Sequence, residues 1–232
     1  MSVIVLIPGL AADHRMWTHQ IDGLDGSRPA SVASAHKRAA SITAMAQAVL
    51  EEFDGELALC GASMGGMIAM EAVRLAPQRV RALALLGTVA DPETPEMHQL
   101  RSDAIQLFEQ GRAEEIIRAN VPLAFHPDNA SDPVLTGAYL QMVLDAGTET
   151  LVRHNRAVMA RPDARPHLGQ IRCPTLVLCG EADQLTPPEH SRAIAAAIPR
   201  ARLALVDGCG HMLTMEQPAR VNALLADWLA AL

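Results

Sequence analysis

The chain has 232 residues and a formal net charge of −7; 50% of its residues are hydrophobic and 19% are charged. That apolar fraction can fill the core of one α/β domain, and the acidic balance argues against the basic surface of a nucleic-acid-binding protein. The opening apolar run, Val3 to Ile7, is too short for a signal peptide, and no segment approaches the roughly 18 uncharged apolar residues of a membrane span. The sequence therefore predicts a cytoplasmic protein that binds neither nucleic acid nor membrane, and it leaves the oligomeric state open.

Short apolar runs alternate with helical patterns along the chain, which is typical of a parallel sheet covered by helices on both faces. Strands in such a sheet are almost entirely apolar because both of their faces are buried. The candidate strands are 3–7, 57–61, 82–87, 175–180 and 202–207, with a weaker candidate at 30–34.

The helices between these strands have recognisable ends. Ser41 or Thr43 is the candidate cap of a helix over 41–52, and a helix over 64–76 is predicted to end before Pro77.

Two further helices are predicted near the end of the chain. The segment 186–189 has the spacing of a capping box, with Pro187 at the first helical position. The last helix is predicted from apolar residues at helical spacing, which are Val221, Leu224, Leu225, Trp228, Leu229 and Leu232.

The alternation of strands and helices stops between residues 91 and 165, a stretch that we call the cap segment. The sequence predicts only helices there, over 94–110, 112–120, 132–146 and 148–160. A helical insertion at this point favours a lid over a site at the strand ends, and the alternative is a second helical layer. No repeat or linker divides the chain, so we expect one domain, 1–232, with the cap segment inserted between core strands.

The four cysteines lie in or beside apolar runs and lack Cys-x-x-Cys spacing. They are Cys60, Cys173, Cys179 and Cys209. This pattern predicts buried, reduced thiols and no zinc or other metal site.

The segment Gly61-Ala62-Ser63-Met64-Gly65 matches the pattern G-x-S-x-G between a predicted strand and a predicted helix. In a nucleophile elbow, the serine occupies a strained turn, and glycines let the strand and the helix approach each other closely. The hydroxyl is then held beside the N-terminus of the helix. Ser63 is therefore the candidate nucleophile.

A serine hydroxyl needs a base to take its proton, and His211 is the candidate among nine histidines. It follows the last strand and precedes the last helix, so its loop emerges at the same sheet edge as Ser63. The other histidines fall in predicted surface loops (His14, His19, His36, His126), on helix faces (His98, His154, His190) or in a turn (His167).

The base in turn needs a carboxylate that fixes its tautomer, and Asp183 follows the penultimate strand at the same edge. The resulting chain order of serine, aspartate and histidine is a known order for this triad. Asp91, after the preceding strand, and Asp207, at the last strand, are the alternatives.

The oxyanion of a tetrahedral intermediate needs two hydrogen-bond donors. The N–H of Met64 directly follows the nucleophile, and the N–H of Leu10 lies in the loop after the first strand, where Gly9 lets the backbone turn. Both donors are main-chain groups, so substitution of their side chains is a weak test of their role.

With these residues in this order, the chain resembles the α/β-hydrolase superfamily from its first strand to its last helix. The segments that carry the resemblance are "PGLAADHRMW", "GASMGG", "GEADQLTPP" and "GCGHM". Within the superfamily the chain looks like small bacterial carboxylesterases and lactonases, of the pimeloyl-carrier-protein methyl esterase and 3-oxoadipate enol-lactonase types. The resemblance implies the α/β-hydrolase fold and serine hydrolase chemistry without a cofactor. It also implies the roles given above to Ser63, Asp183, His211, Leu10 and Met64.

The chain departs from the family pattern in two places. Pro8-Gly9 stands where the oxyanion loop usually has His-Gly, so the hydrogen bonding of this loop must differ. The N-terminal strand pair is missing, and "ASVASAHKRAAS" replaces an Asp-x-x-Gly-x-Gly segment. We therefore expect a mostly parallel sheet of about six strands, with a trimmed or distorted stretch around 27–40.

Candidate substrate contacts come from the end of the cap segment and from the loop after the first strand. Four arginines fall at the end of the cap segment: Arg153, Arg156, Arg161 and Arg165. Arg156 is the candidate for holding a substrate carboxylate, and ion pairs or cover over apolar surface are the alternatives. Trp17 is a candidate for lining an acyl pocket, and its alternative is a place in the core.

Together these residues predict a two-step acyl transfer from a small-molecule ester or lactone to Ser63 and then to water. Alternatives on the same triad are lactonase, C–C bond hydrolase, perhydrolase and hydroxynitrile lyase activities. A receptor that uses the same fold only to bind a ligand is a rival from another class.

Overall fold

The computed structural model describes residues 2–24 and 30–230 and contains a sheet of six parallel strands. The strands are β1 (Val3–Ile7), β2 (Ala30–Val32), β3 (Leu57–Ala62), β4 (Val80–Leu86), β5 (Thr175–Gly180) and β6 (Arg202–Val206). Their spatial order is β2-β1-β3-β4-β5-β6, and every neighbouring pair is parallel. The predicted sheet of about six strands is confirmed, and its five strong strands begin and end within two residues of the predicted bounds.

Two hydrophobic clusters lie on opposite faces of this sheet. Ile4 and Leu6 of β1 belong to one cluster, and Val5 and Ile7 belong to the other, because successive side chains of a strand point to opposite faces. Every residue of β3 and of β5 is buried. This two-sided burial explains why the strands read as nearly continuous apolar runs.

Helices cover both faces. They are α1 (Thr18–Gly23), α2 (Ile42–Glu52), α3 (Met64–Leu75), α4 (Pro95–Glu109), α5 (Ala113–Ala124), α6 (Pro133–Asp145), α7 (Gly147–Met159), α8 (Arg165–Leu168), α9 (Pro188–Ala197), α10 (Leu213–Glu216) and α11 (Pro218–Ala230). The apolar stripe predicted for the last helix is buried from Val221 to Leu229, and Leu232 lies outside the described residues. No helix within 2–24 and 30–230 is both long and apolar enough to cross a membrane.

At the helix starts, one predicted cap is present and one is not. Ser41 rather than Thr43 caps α2, because its Oγ accepts a hydrogen bond of 3.2 Å from the Ala44 N–H. The capping box predicted at 186–189 is wrong. The Thr186 hydroxyl donates to the Asp183 carboxylate instead, and α9 begins two residues later.

The cap segment supplies α4 to α7 between β4 and β5, with helix bounds close to the predicted ones except that α5 runs four residues further. Its two connections to the sheet meet. The Ala164 N–H donates to the Ala90 carbonyl at 2.9 Å, and the buried Glu93 carboxylate accepts from Arg161 at 2.9 Å and Arg101 at 2.7 Å. The cap segment therefore leaves and rejoins the core at one place, and its role as a lid stays a prediction.

The stretch predicted to be trimmed or distorted around 27–40 is described from residue 30 onward, and 27–29 lie outside the described residues. It contains the three-residue β2 and a 3₁₀ turn, Ala35–Arg38. The prediction that His36 lies in a surface loop is wrong, because this turn packs between α2 and α7 and the His36 side chain is fully buried.

All four cysteines are free thiols; three are buried as predicted, and Cys173 is partly exposed. Burial raises the pKa of the Cys179 thiol to about 12, with Asp183 adding to the effect. Cys179 is therefore protonated near neutral pH and is not a nucleophile.

Candidate active site

Ser63 lies in a strained turn at the carboxyl end of β3. Its φ of 54° and ψ of −119° place a residue with a side chain in a region that favours glycine. Its N–H donates to the Leu86 carbonyl at 2.8 Å, and its own carbonyl accepts a bond of 2.7 Å from the Thr88 hydroxyl. The turn is therefore held from both sides by the end of β4.

The glycines around Ser63 are required by close backbone approach. A Cβ at Gly61 would overlap the Gly65 carbonyl, and a Cβ at Gly65 would overlap the Ile7 carbonyl of β1. A Cβ at Gly66 would lie 2.7 Å from Thr88. The sequence GASMGG thus lets β3 turn directly into α3 while both elements touch β1 and β4.

His211 and Asp183 form a buried pair at the same edge of the sheet. The Nδ1 of His211 lies 2.8 Å from Asp183 Oδ2, and the two side chains are 7% and 0% exposed. Asp183 Oδ1 accepts the N–H groups of Leu185 and Thr186 at 2.9 and 2.8 Å, and the Thr186 hydroxyl donates to Oδ2 at 2.8 Å. These donors leave the carboxylate in one orientation.

Two opposing effects act on the Asp183 carboxyl. Burial raises its pKa, but the attraction of His211 and the hydrogen bonds from His211 and Thr186 outweigh burial and lower the pKa below its usual 3.8. Asp183 is therefore ionised near neutral pH, and its Oδ2 accepts a hydrogen bond from a proton-bearing Nδ1 of His211. This leaves Nε2 of a neutral His211 free to act as a base.

The end of β4 lies between Ser63 and this pair. A Cβ on Gly87 would lie 3.1 Å from Asp183 Oδ2 and 3.4 Å from His211 Nδ1, while Leu86 and Thr88 bond the backbone of Ser63. Within the described residues, Ser63 Oγ has no hydrogen-bond partner. The structure thus brings the three residues to one edge and joins His211 to Asp183, but it does not join Ser63 to His211.

The loop after β1 lies against the nucleophile. A Cβ on Gly9 would lie 3.3 Å from the Cβ of Ser63. The N–H groups of Leu10 and Met64 donate to no acceptor in the part of the chain that the structure describes, whereas the Gly66 and Met67 N–H groups donate to the Ser63 carbonyl. Two main-chain donors near Ser63 are thus available to a ligand oxygen.

The alternative carboxylates have other surroundings. Asp91 bonds His190 at 3.1 Å and Arg165 at 3.1 Å, and it belongs to a partly exposed cluster where the cap segment begins and ends. Asp207 is exposed. Of the three candidates, only Asp183 is bonded to His211.

Trp17 and Arg156 were predicted to contact substrate, and each has the surroundings of its alternative, the core for Trp17 and an ion pair for Arg156. Trp17 is fully buried in the core that includes the last helix. Arg156 pairs with Glu109 of α4 at 3.1 Å, and 62% of its side chain is exposed. Trp17 therefore contributes packing, and the Arg156 guanidinium is engaged in a surface ion pair.

Sequence reasoning missed Glu216, which holds the loop that carries His211. Its Oε1 accepts from Gly210 N–H at 3.0 Å and Met212 N–H at 3.1 Å, on either side of the histidine. Its Oε2 accepts from the His126 N–H and from the Asn129 side chain, both at 2.8 Å. The available signal was a lone acidic residue five positions after His211, which does not reveal these partners.

No group of three or more His, Cys, Asp or Glu side chains in the described residues is arranged to hold a metal ion. The polar groups gathered at the sheet edge are instead a candidate nucleophile, an imidazole–carboxylate pair and free N–H donors. This set can deprotonate a hydroxyl and stabilise a developing negative charge.

Comparison with known proteins places the chain in a family. The family model described as alpha/beta hydrolase fold matches residues 2–218, so the chain belongs to the α/β-hydrolase family, as the resemblance predicted. A pimeloyl-[acyl-carrier protein] methyl ester esterase of Aromatoleum aromaticum is 29% identical over 247 residues, covering 96% of this chain and 90% of the relative. The putative carbamate hydrolase RutD of Serratia proteamaculans is 32% identical over an alignment of 174 positions, which covers 73% of this chain and 64% of that relative.

A solved structure of a thermophilic esterase from Thermogutta terrifontis superimposes with a TM-score of 0.91 at 27% identity. The match covers 100% of this chain and 90% of the esterase. The fold of this chain is therefore shared over its whole length with a protein named as an esterase.

Proposed function

We propose that this protein is a serine hydrolase that cleaves a carboxylic ester or lactone of a small to medium substrate through an acyl-enzyme intermediate. The observation that carries the proposal is the buried 2.8 Å contact between His211 Nδ1 and Asp183 Oδ2, at the sheet edge where the strained Ser63 follows β3. The names of the methyl esterase relative and of the superimposed esterase support the same class of reaction.

In the proposed mechanism, Nε2 of His211 takes the proton from Ser63 Oγ as the oxygen attacks the substrate carbonyl carbon. Asp183 accepts the Nδ1–H, which fixes the tautomer and stabilises the imidazolium. The imidazolium then protonates the leaving alkoxide, and the acyl group stays on Ser63. A water molecule, deprotonated by His211, attacks the acyl-enzyme and releases the carboxylic acid, which restores the Ser63 hydroxyl.

The negative charge of each tetrahedral intermediate is stabilised by the N–H groups of Leu10 and Met64. The support for this assignment is that both groups lack an acceptor within the described residues and that Gly9 brings the first loop against Ser63. Loss of one such donor typically costs about 3–4 kcal/mol of transition-state stabilisation.

The cap segment is proposed to act as a lid over this site. Its support is that the Ala124 carbonyl, at the end of α5, accepts bonds from the N–H groups of His211 at 2.9 Å and Met212 at 3.2 Å. A lid that touches the base-bearing loop excludes water from the acyl-enzyme and strengthens the electrostatic interactions beneath it.

The decisive experiment is Ser63→Ala, assayed with short p-nitrophenyl esters and small lactones. We expect kcat to fall by at least about 1,000-fold, because neither the nucleophile nor a substitute remains. A fluorophosphonate probe is expected to label the parent protein and not the variant. Ser102→Ala, on the outer side of α4, is the matched control and should leave both readouts at the parent level.

Two results contradict the proposal. If pure Ser63→Ala hydrolyses the esters as fast as the parent, Ser63 is not the nucleophile. If the parent neither turns over any ester or lactone nor reacts with the probe, the site binds a ligand without hydrolysis.

A further inference from the structure

The loop after β1 contains an unusual backbone position next to the proposed oxyanion donor. Ala11 has a φ of 52°, in the left-handed region, and is 1% exposed. Its N–H lies on the peptide plane that follows the one bearing the Leu10 N–H. The two planes meet at the Cα of Leu10, so anchoring one of them limits how far the Leu10 N–H can move.

The acceptor of the Ala11 N–H comes from the cap segment. His154 of α7 is fully buried, and its Nδ1 lies 3.1 Å from the Ala11 nitrogen, across 143 positions of sequence. Because Nδ1 accepts a hydrogen bond, the ring proton is on Nε2, which lies 3.4 Å from the Lys37 carbonyl. One imidazole thus joins the cap segment to the loop after β1 and to the 3₁₀ turn, Ala35–Arg38.

His154 stays neutral in this position. Burial is the largest influence on its pKa; the Lys37 carbonyl favours the protonated ring, while the positive charges of Arg153 and Lys37 disfavour it, and the pKa falls to about 4. The unprotonated Nδ1 is therefore available as an acceptor near neutral pH. The neighbouring His36 is also neutral near neutral pH. Burial, His154 and Lys37 lower its pKa to about 4, and the Glu52 carboxylate opposes this shift.

We infer that His154 is a positioning residue for the oxyanion-hole loop, and that it holds Leu10 in place through the Ala11 N–H. This inference rests on the proposed function, since it assigns a role to a loop that the proposed reaction uses. It also accounts for the departure at Pro8-Gly9. A loop that lacks the usual histidine of its own is held by an imidazole from the cap segment.

His36 shows that a buried imidazole in this region need not hold the loop. It is fully buried beside His154, yet neither of its ring nitrogens has a partner within the described residues. His154, in contrast, has a contact at each nitrogen. The pair of histidines therefore offers a test residue and a control with the same side chain and similar burial.

The test compares His154→Leu, His154→Asn and His36→Leu. The leucine removes the acceptor, whereas the carboxamide oxygen of asparagine can occupy the place of Nδ1 and accept the Ala11 N–H. We expect His154→Leu to lower kcat by about 10- to 100-fold with KM changed less than about threefold, since the loop acts on the transition state. His154→Asn should recover most of kcat, and His36→Leu should stay within about threefold of the parent.

Two further readouts separate positioning from a structural role. A trifluoromethyl ketone, whose oxyanion occupies the proposed hole, should lose affinity for His154→Leu by about the same factor as kcat/KM falls. In folded Ser63→Ala protein, addition of His154→Leu should speed hydrogen exchange at the Ala11 amide by at least about 10-fold, because this amide loses its acceptor. This second readout needs no catalysis, so it tests the inference even if the proposed function fails.

The inference is overturned if the exchange of the Ala11 amide is unchanged in His154→Leu. It is also overturned if kcat falls equally in His36→Leu, or if His154→Asn recovers the folded fraction but not kcat. If His154→Leu does not fold, His154→Asn becomes the test. The inference is then overturned unless this variant matches the parent in both kcat and amide exchange.

Discussion

Two loops flank Ser63, and the cap segment holds them by different means. The loop after β1, residues 8–13, has a single hydrogen bond to the cap segment within the described residues, from the Ala11 N–H to His154 Nδ1. This anchor is one side-chain nitrogen. It disappears if the ring is protonated at that atom.

The loop after β6, residues 207–212, is held by several bonds. The Ala124 carbonyl accepts from two successive N–H groups of the loop, and the Glu216 carboxylate bonds the loop and the start of the α5–α6 connection. A backbone carbonyl does not titrate. The loop of His211 is thus built into the contact between the cap segment and the core, whereas the loop of Leu10 is joined to the cap segment by one side-chain acceptor.

Among changes that act on the two loops, the largest expected effect comes from forcing the cap segment away from the loop of His211. Gly210→Ala would place a Cβ 2.6 Å from the His126 nitrogen and 2.6 Å from the Phe125 carbonyl carbon, both backbone atoms. We expect kcat to fall by about 100-fold and the free energy of unfolding to fall by about 3 kcal/mol, because the backbone must shift and carry the catalytic loop with it.

Urea unfolding and ester kinetics measure these two effects. The control is Gly137→Ala, since a Cβ there meets nothing within 4 Å and the residue lies inside α6. This control should keep the parental kcat and gain up to about 1 kcal/mol of stability. Parental kinetics for Gly210→Ala would show that the close contact does not position the loop.

The second expected effect is a pH dependence of the free energy of unfolding, which differs between the histidines beside the loop of Leu10 and the Asp183 that bonds His211. Burial lowers the pKa of His36 and of His154 from the usual 6.5 to about 4. Between pH 4 and pH 6.5 the unfolded chain binds protons that the folded chain does not. The contribution of these histidines to the free energy of unfolding is therefore fully present above about pH 6.5 and is lost as the pH drops toward 4. The shift corresponds to about 3 kcal/mol for each histidine.

Asp183 affects the free energy of unfolding in a lower pH range. Its pKa is lowered from 3.8, so the stability that it contributes is present above pH 3.8 and is lost only as the pH falls through its folded value. The free energy of unfolding, measured with urea, should therefore be lower at pH 4.5 than at pH 7. In His36→Leu this difference should be roughly half as large. An unchanged loss in His36→Leu would mean that the buried histidines do not set this pH dependence.

The smallest expected effect comes from weakening one anchor of the base-bearing loop. Glu216→Gln keeps one acceptor oxygen and replaces the other with an amide group, which faces N–H donors. We expect a loss of about 1–3 kcal/mol in the free energy of unfolding and a fall in kcat of about 10-fold. Thermal unfolding and ester kinetics check both values, and an effect on KM alone would contradict a role in positioning the loop.

The sequence predicted the sheet well, and it placed the candidate site residues at the ends of its strands. The strands read as apolar runs because both of their faces are buried, and the glycines of GASMGG mark the place where β3, α3 and β1 come together. His211 and Asp183 could be selected because parallel strands deliver their carboxyl ends to a single edge. These are consequences of local pattern and of sheet topology.

The two errors have different physical causes. Thr186 has the local pattern of a helix cap, but a buried carboxylate close in space competes for its hydroxyl. His36 lies in a polar stretch that predicts a surface loop, and α7 covers it from another part of the chain. A carboxylate three residues earlier overrides the cap pattern at Thr186, whereas a tertiary partner overrides the local preference at His36.

By itself, the sequence determined the alternation of strands and helices, the strained turn at Ser63 and the chain order of the three candidate catalytic residues, because each depends on neighbours along the chain. Only the tertiary structure decided that Glu216 holds the loop of His211 and that His154 bonds the loop of Leu10. The His154–Ala11 and Glu216–His126 bonds depend on how the cap segment docks onto the sheet, and no local pattern encodes that docking.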